Sequence, residues 1–538
     1  MVGGELVSTQ YDAVVIGAGH NGLTCACYLA KSGMKVLVLE QYHSVGGMTI
    51  TEQITLPGFH SDIHAFGYEF AILSPVPHEL ELVKYGFRLI HPDPGYSHIF
   101  PDGGIVSVWR DLEKTCESIA RYSKKDAETW RTLFGNYLTQ KDRIAAFLNA
   151  PPPSLATEVA ALVQAPGGMD AYRFEMQSLR SWCNETFEAE ETKVLVGSFA
   201  LHVGSAPDDA GGARLAWLFA SIIQDLGNNA VKGGMHNLSL ALAAYLKDKG
   251  GEIRTNAEVA KVLVDDGRAT AVRLKSGEEI PVGKLVASNV DPRQLTLRLL
   301  GEDIVGAEVA MKIRRYEWGD SVMPIYVALD GPVEYKAGPE ARRSAYVHPT
   351  SATLDYSAQI YFEVRSGKLP ASPFVLICND SAVDPGRAPT GKALMKFVVQ
   401  PVPYEIKGDA TGVIGGRNWD EVKEQYADYV IDMLTESYIP DLKRKILKRV
   451  VHSPADLERT IISAVHGTLA HGAYLPYQIE SMRPIPEMGE YRAPVPNVYL
   501  CGSGSHPGPG VSMAPGRNAA QAIYSDLELD FPATLVTR

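Results

Sequence analysis

Three glycines, Gly17, Gly19 and Gly22, stand in GxGxxG spacing between an apolar run at residues 11–16 and a segment of helical character at residues 23–31. Each has a physical task. Gly17 permits a tight turn, Gly19 lets the backbone approach a pyrophosphate, and Gly22 allows a helix to pack closely on a strand. The start of that helix offers free N–H groups and the positive end of a dipole to phosphate oxygens. Glu40 lies 18 residues after Gly22, at the end of a second apolar run, KVLVL at 35–39. There its carboxylate can accept hydrogen bonds from both hydroxyls of an adenosine ribose, and it repels a 2′-phosphate, which argues against NADP. A strand, turn, helix, second strand and acid in register describe a nucleotide-binding βαβ unit rather than an incidental turn.

NAD and FAD both use that unit, so the choice between them rests on residues beyond it. Gly46-Gly47 sit six residues beyond Glu40 and give a second place where backbone can pass close to a diphosphate. Towards the other end of the chain, residues 497–520 read NVYLCGSGSHPGPGVSMAPGRNAA, again an apolar strand, a glycine-rich turn and a helix. Its helix start can face a ribityl chain or a flavin ring. A site built from two distant parts of the chain suits a long, bent cofactor such as FAD.

With these motifs in place, the sequence resembles the phytoene desaturase-like branch of the FAD-dependent oxidoreductases, with bacterial carotenoid desaturases and their animal counterparts. The resemblance covers nearly the whole chain. It is carried by VVIGAGHNGL, LEQYHSVGG, PGFHSD, KGGMHNLSLALAAYL with GGEIRTNAEV, ASNVDP, and the long stretch from MRPIPEMGEY to PGRNAA. It implies a non-covalent FAD and hydride transfer to or from an apolar substrate. It also implies cofactor contacts at Gly17, Gly19, Asn21, Gly22 and Glu40, then at Gly46, Gly47 and Met48. Val259 would meet the adenine through its backbone, and Asn289 lies in the return strand at 287–291. Gly502, Ser503, Gly510 and Val511 would face the ribityl chain and ring. Three departures stand out: Ser44 where relatives often carry Arg, Gly508-Pro509-Gly510 where many have three glycines, and AYLPYQIES after Gly472 where close relatives have a Leu-Asp-Gln pattern.

Flavin dehydrogenation needs a positioned C–H bond and sometimes a base for the companion proton. Histidines are the natural proton carriers near neutral pH. His471, at a family position just before the flavin strand, and His64, after the PGF segment, are the candidates, with Tyr474 behind them. The i,i+4 spacing of His60 and His64 lacks an HExxH context, so no metal is expected. No second GxGxxG sits in a βαβ setting, so electrons would leave to oxygen, a quinone or another acceptor. The missing CxxC excludes a disulfide reductase. Two other readings stay open: an amine oxidase-like flavoenzyme with an aromatic cage from Tyr474, Tyr477 and Tyr491, and a flavin-stabilised scaffold without catalysis.

These residues need elements to hold them. A chain of 538 residues is long enough for two or more units. The motifs predict an α/β fold: a discontinuous Rossmann-type FAD-binding domain with a mixed α+β substrate domain, in the manner of glutathione reductase and amine oxidases. The expected division is 1–75, 232–310 and 450–538 for the FAD domain, and 76–231 with 311–449 for the substrate or cap domain. A β-meander from GEIRT to AVRLKSG is expected in the first. A largely antiparallel sheet of VMPIYVAL, AQIYFEV, FVLICN and ALMKFVV is expected in the second. The apolar, Pro-broken stretch 144–163 reads as a core helix in preference to a lid resting on a bilayer. Hydrophobic content of 45% and charged content of 21% exclude a disordered chain. The net charge of −12 argues against nucleic acid as a partner. The N-terminus lacks the apolar region of a signal peptide, and no apolar run has the length of a membrane span. The six cysteines fit a reducing compartment, so the chain reads as cytoplasmic, with peripheral membrane contact left open.

Overall fold

The computed structural model describes residues 11–165, 167–349 and 353–532. Residues 1–10, read above for the absence of a signal peptide, lie outside them.

Strand Ala13–Ile16 is buried along its whole length. Four apolar residues without alternation need cover on both faces, which places the strand inside a parallel sheet. It pairs in parallel with Val36–Leu39 on one side and Leu285–Ser288 on the other. Val498–Leu500 extends the sheet beyond Leu285–Ser288, and Glu252–Arg254 closes the opposite edge. GEIRT thus belongs to this sheet and not to the meander. The meander comprises Val259–Asp265, Arg268–Leu274 and Glu279–Pro281. Helices His20–Lys31, His236–Asp248 and Ala514–Asp526 share one apolar core with the sheet, and the meander packs into a second core with it.

A second sheet of seven strands runs in the order Ile446–Val451, Ser321–Leu329, Ala393–Val402, Val375–Cys378, Tyr346–Pro349, Tyr96–Ile99, Ile105–Val108. All its pairings are antiparallel except that of Tyr346–Pro349 with Tyr96–Ile99. The AQIYFEV segment is not among them. It lies in helix Leu354–Arg365, started by the Thr353 side chain and burying Leu354, Ser357, Ile360 and Tyr361. That spacing is helical, and it outweighs the β propensity of the aromatic and branched residues. Helix Trp419–Ser437 covers one face of the sheet, and helices Glu190–His202 and Gly212–Leu226 contribute to the cover of the other.

The core reading of 144–163 is overturned. Helices Lys141–Leu148 and Leu155–Gln164 bury no residue. Together with helix Gly168–Met176 they leave Leu155, Val163, Met169 and Met176 exposed. No described helix is long and apolar enough to cross a membrane.

Buried side chains join the two sheets. Segment 60–66 crosses between them. Lys396 donates to the carbonyls of Asp62 and His64 at 3.0 Å each, Tyr326 to Ile63, and Tyr346 to Phe66 at 2.6 Å. Arg387 donates to the carbonyl of His60 and pairs with Asp62 and Asp380. Near the other end, Arg483 is fully buried. Its guanidinium donates to Ser503 O at 2.9 and 3.0 Å, to Ala470 O at 2.9 Å, to Gly472 O at 3.1 Å, to Ala473 O at 3.3 Å and to Gln478 O at 3.4 Å.

Each buried carbonyl that loses its donor costs about 1–3 kcal/mol. Arg483→Met is therefore expected to destabilise the fold by at least about 3 kcal/mol in urea unfolding. Arg483→Lys should recover only part, because a point charge cannot serve so many carbonyls at once. A loss below about 1 kcal/mol for Arg483→Met would contradict this account.

Candidate functional site

The two glycine-rich turns meet at one cavity of about 320 Å³. Gly17 continues from strand Ala13–Ile16 with φ +93°, a backbone conformation L side chains rarely adopt. Gly19 caps helix His20–Lys31, whose first turn holds no acid, and Gly19, His20 and Asn21 line the cavity. A Cβ at Gly19 would lie 2.6 Å from Asn289 Nδ2, and one at Gly22 would lie 2.2 Å from Gly17 O. Close approach thus demands glycine at both places, although Gly22 packs behind the turn and does not line the cavity.

Of the expected cofactor contacts, Gly17, Gly19, Asn21, Glu40, Gly47, Met48, Val259, Asn289 and Ser503 line this cavity. Asn21 Nδ2 donates to Ser503 Oγ at 3.1 Å, joining the first glycine turn to the last. Gly46 backs Gly19 through a parallel bridge, and its N–H donates to Ala18 O at 2.8 Å. Gly502 stands against Asn289, where a Cβ would fall 2.7 Å from Asn289 O. Gly510 and Val511 pack beside the cavity rather than in its lining, Gly510 against Phe70 and Val511 in the apolar core. Val511 holds φ +54°, a strained state for a β-branched residue.

Glu40 accepts from Ala18 N at 2.7 Å and Tyr42 N at 2.8 Å. Burial pushes its pKa up and the backbone donors pull it back. The adjoining wall is fixed by Ala257 N donating to Glu40 O at 2.8 Å, which brings Val259 and Glu258 to the same end. Arg298 supplies the one Lys or Arg side chain of the described lining, and Glu258 pairs with it at 3.2 Å. Ser44 is turned to His236 Nε2 at 3.4 Å. A diphosphate here would lean on helix and backbone N–H groups.

His64 and His471 both line the cavity. His471 has φ +48°, and Tyr316 holds its carbonyl at 3.0 Å. Burial drives the pKa of His64 to about 3 and of His471 to about 4, so both are neutral at physiological pH and do not titrate where a free histidine would. Segment 60–64 is not helical, so the His60–His64 spacing puts no two rings on one helix face. Tyr474 is not brought to the lining: its hydroxyl donates to Pro509 O at 3.0 Å. Tyr491 donates to His506 O, and Tyr477 is exposed and bonded to Glu317. The three tyrosines therefore form no cage around this cavity. Arg517 makes a buried bidentate pair with Glu79 at 2.8 Å.

Sequence reasoning passed over His20, which sits between the glycines. It lines the cavity with Nε2 unpartnered, and burial beside His471 brings its pKa to about 3. It also passed over His452 and Arg298. Gly17, Gly19 and Gly47 form a cradle, and the buried, unpartnered His20 Nε2 and Asn21 Oδ1 sit in its wall. These residues fit FAD.

Comparison with known proteins agrees. The mouse pyridine nucleotide-disulfide oxidoreductase domain-containing protein 2 is 31% identical over 96% of this chain and 94% of its own. One subunit of the limonene dehydrogenase of Castellaniella defragrans is 28% identical over 97% and 96%. Hydroxyneurosporene desaturase of Cereibacter sphaeroides is 28% identical over 96% and 97%. The fold is shared with an oxidoreductase from Methanosarcina mazei, TM-score 0.61 at 16% identity over 95% and 99% of the two chains. It is shared also with putrescine oxidase, TM-score 0.60 at 15% identity over 96% and 99%. The model of the flavin containing amine oxidoreductases matches residues 22–523, and the chain belongs to that family as an FAD-dependent oxidoreductase.

Proposed function

We propose that this enzyme moves hydride between flavin N5 and an apolar, isoprenoid- or lipid-like substrate. The observation that carries the reading is the cavity wall beside His64 and His471, which is built from Met48, Ile50, Ile54, Ile63, Ile461 and Ile462. Relatives named for limonene and hydroxyneurosporene support it. FAD, when bound, supplies the hydride acceptor. The chain supplies the rest by position: Gly17, Gly19 and Gly47 admit the cofactor, Glu40 and Val259 hold its adenosine end, and Asn289 and Ser503 stand along it. The isoleucines exclude water and orient an apolar C–H bond. His64 and His471 act as neutral hydrogen-bonding groups and not as proton carriers. Oxygen or a quinone takes the electrons away. The cofactor unit draws on segments within 1–75, 232–310 and 450–538, and the substrate unit on 76–231 and 311–449. The exposed Leu155, Val163, Met169 and Met176 favour peripheral contact with a membrane, from which such a substrate would be drawn.

Three outcomes test this. Anaerobic mixing of the yellow holoprotein with isoprenoid alkenes should bleach the flavin, whereas primary amines should not; bleaching by amines alone would reverse the reading. The rate of flavin reduction should show no acid limb near pH 6.5, because His64 and His471 stay neutral down to about pH 4. A limb near 6.5 that vanishes in His471→Asn would restore a histidine base. Finally, the protein should float with phosphatidylcholine vesicles in high salt, and Leu155→Glu with Met169→Glu should abolish this. Flotation unchanged in that double variant would place the contact elsewhere.

A further inference from the structure

We propose that the second sheet carries a polar recognition point for the far end of the substrate, where His98, His202 and His348 receive an alcohol oxygen. The inference rests on the apolar-substrate reading above and adds to it the chemistry of one substituent.

His98 and His348 stand opposite each other on neighbouring parallel strands. Both are fully buried, and among the described residues none of their four ring nitrogens has a hydrogen-bond partner. Buried polar atoms without partners are rare in folded proteins, and two whole imidazoles side by side are rarer still. His202, the last residue of helix Glu190–His202, meets His348 edge-on at 6.2 Å between ring centres. The surroundings are aromatic. Phe374 lies 4.3 Å from His348, Phe100 lies 5.1 Å from His98, and Phe66 and Phe219 lie 5.8 and 5.7 Å from His202. Tyr96 packs on His348 at 5.1 Å, but its hydroxyl is engaged with Ser198 Oγ at 2.6 Å. Among the described residues no carboxylate or cation is hydrogen-bonded to any of the three rings. Burial keeps His98 neutral down to about pH 3 and His202 to about 4.

One apolar cluster links these rings to the cofactor cavity. Met48 and Ile461 line that cavity and pack on the same apolar cluster as Phe66, Tyr96, Phe199 and Phe219. Phe66 touches His202, and the segment it ends, 60–66, contributes Ile63 and His64 to the cavity. An apolar chain running from the flavin across these rings would end at the imidazoles. A neutral imidazole offers one donor and one acceptor. The group that answers both is a hydroxyl. A hydrocarbon would leave every nitrogen unanswered, and a carboxylate would answer only the donors.

The test uses the full-length holoprotein and reads dissociation constants from perturbation of the bound flavin spectrum. The probes are farnesol, farnesene and farnesoic acid, with geranylgeraniol and its hydrocarbon as a longer pair. Unaltered protein should bind the alcohols at least about tenfold tighter than the matching hydrocarbons. His98→Leu and His348→Leu should erase that preference and keep hydrocarbon affinity, and His348→Gln should retain part of it. Equal binding of alcohol and hydrocarbon by the unaltered protein would overturn the proposal and leave ordered water as the partner of the imidazoles. Tighter binding of the acid than the alcohol, or survival of the preference in the double Leu variant, would overturn it as well. If none of the probes perturbs the flavin, the apolar-substrate reading itself falls. Equal binding by unaltered protein overturns the proposal even if a Leu variant fails to fold, and His348→Gln then serves as the variant that must weaken the preference.

Discussion

The rest of the molecule depends on a crowding constraint at Asn289. Its side chain and backbone lie where three glycines come closest: a Cβ on Gly19, Gly22 or Gly502 would sit 2.6, 2.9 or 2.7 Å from one of its atoms. Three strand ends converge there from remote parts of the chain, with Asn289 N donating to Ile16 O and Cys501 N to Ser288 O at 2.8 Å each. The cradle therefore forms only after the chain has left and returned twice. Each excursion must start and finish at the same sheet, which is why the strands of the seven-stranded sheet come from segments inserted between those of the five-stranded one. The hydrogen bond from Asn21 to Ser503 is the seal on that convergence.

Joining the second sheet to the first poses a different problem, because segment 60–66 carries backbone carbonyls into a buried interface. The sheet answers with side chains that are expensive to bury. Lys396 is almost fully buried, and its pKa is lowered mainly by that burial, with Asp380 and Asp62 opposing. A methionine would fill similar volume but leave the carbonyls of Asp62 and His64 without donors. Such ionic anchors add little net stability over a well-packed apolar core. What they supply here is geometry: with Ile63 N on Ile50 O and Ala65 N on Met48 O, they set the cavity wall that holds His64 and Met48.

How much of this was legible in the sequence is decided by the same physics. Glycine spacing and the acid at 40 are local signals, and they led to the cavity. The isolated run AQIYFEV was ambiguous, since branched and aromatic residues fit a strand while Leu354, Ser357, Ile360 and Tyr361 fit a helical stripe. Hydrophobicity at 144–163 implied burial, yet both helices of that stretch bury no residue. Arg483 and Lys396 were illegible because their partners are carbonyls, which every residue has and no sequence marks. A lone lysine in ALMKFVV was the available hint. The pairing of His98 with His348 depends on strand register between segments hundreds of residues apart, which no local pattern encodes.

The disposition of charge follows from these choices. The buried cations Arg387, Lys396, Arg483 and Arg517 are spent on carboxylates and carbonyls of the scaffold, and none of them lines the cavity. Among the described lining residues only Arg298 does, and Glu258 shares it. The negative charge of a dinucleotide must then be met by the N-terminus of helix His20–Lys31, whose partial charge acts within its first turn. The stretch of wall made by Met48, Ile50, Ile54, Ile63, Ile461 and Ile462 carries no charge. In such surroundings an ion would gain nothing and lose its hydration. An apolar C–H bond loses nothing by entering, and this difference in desolvation is the physical basis of the substrate class proposed above.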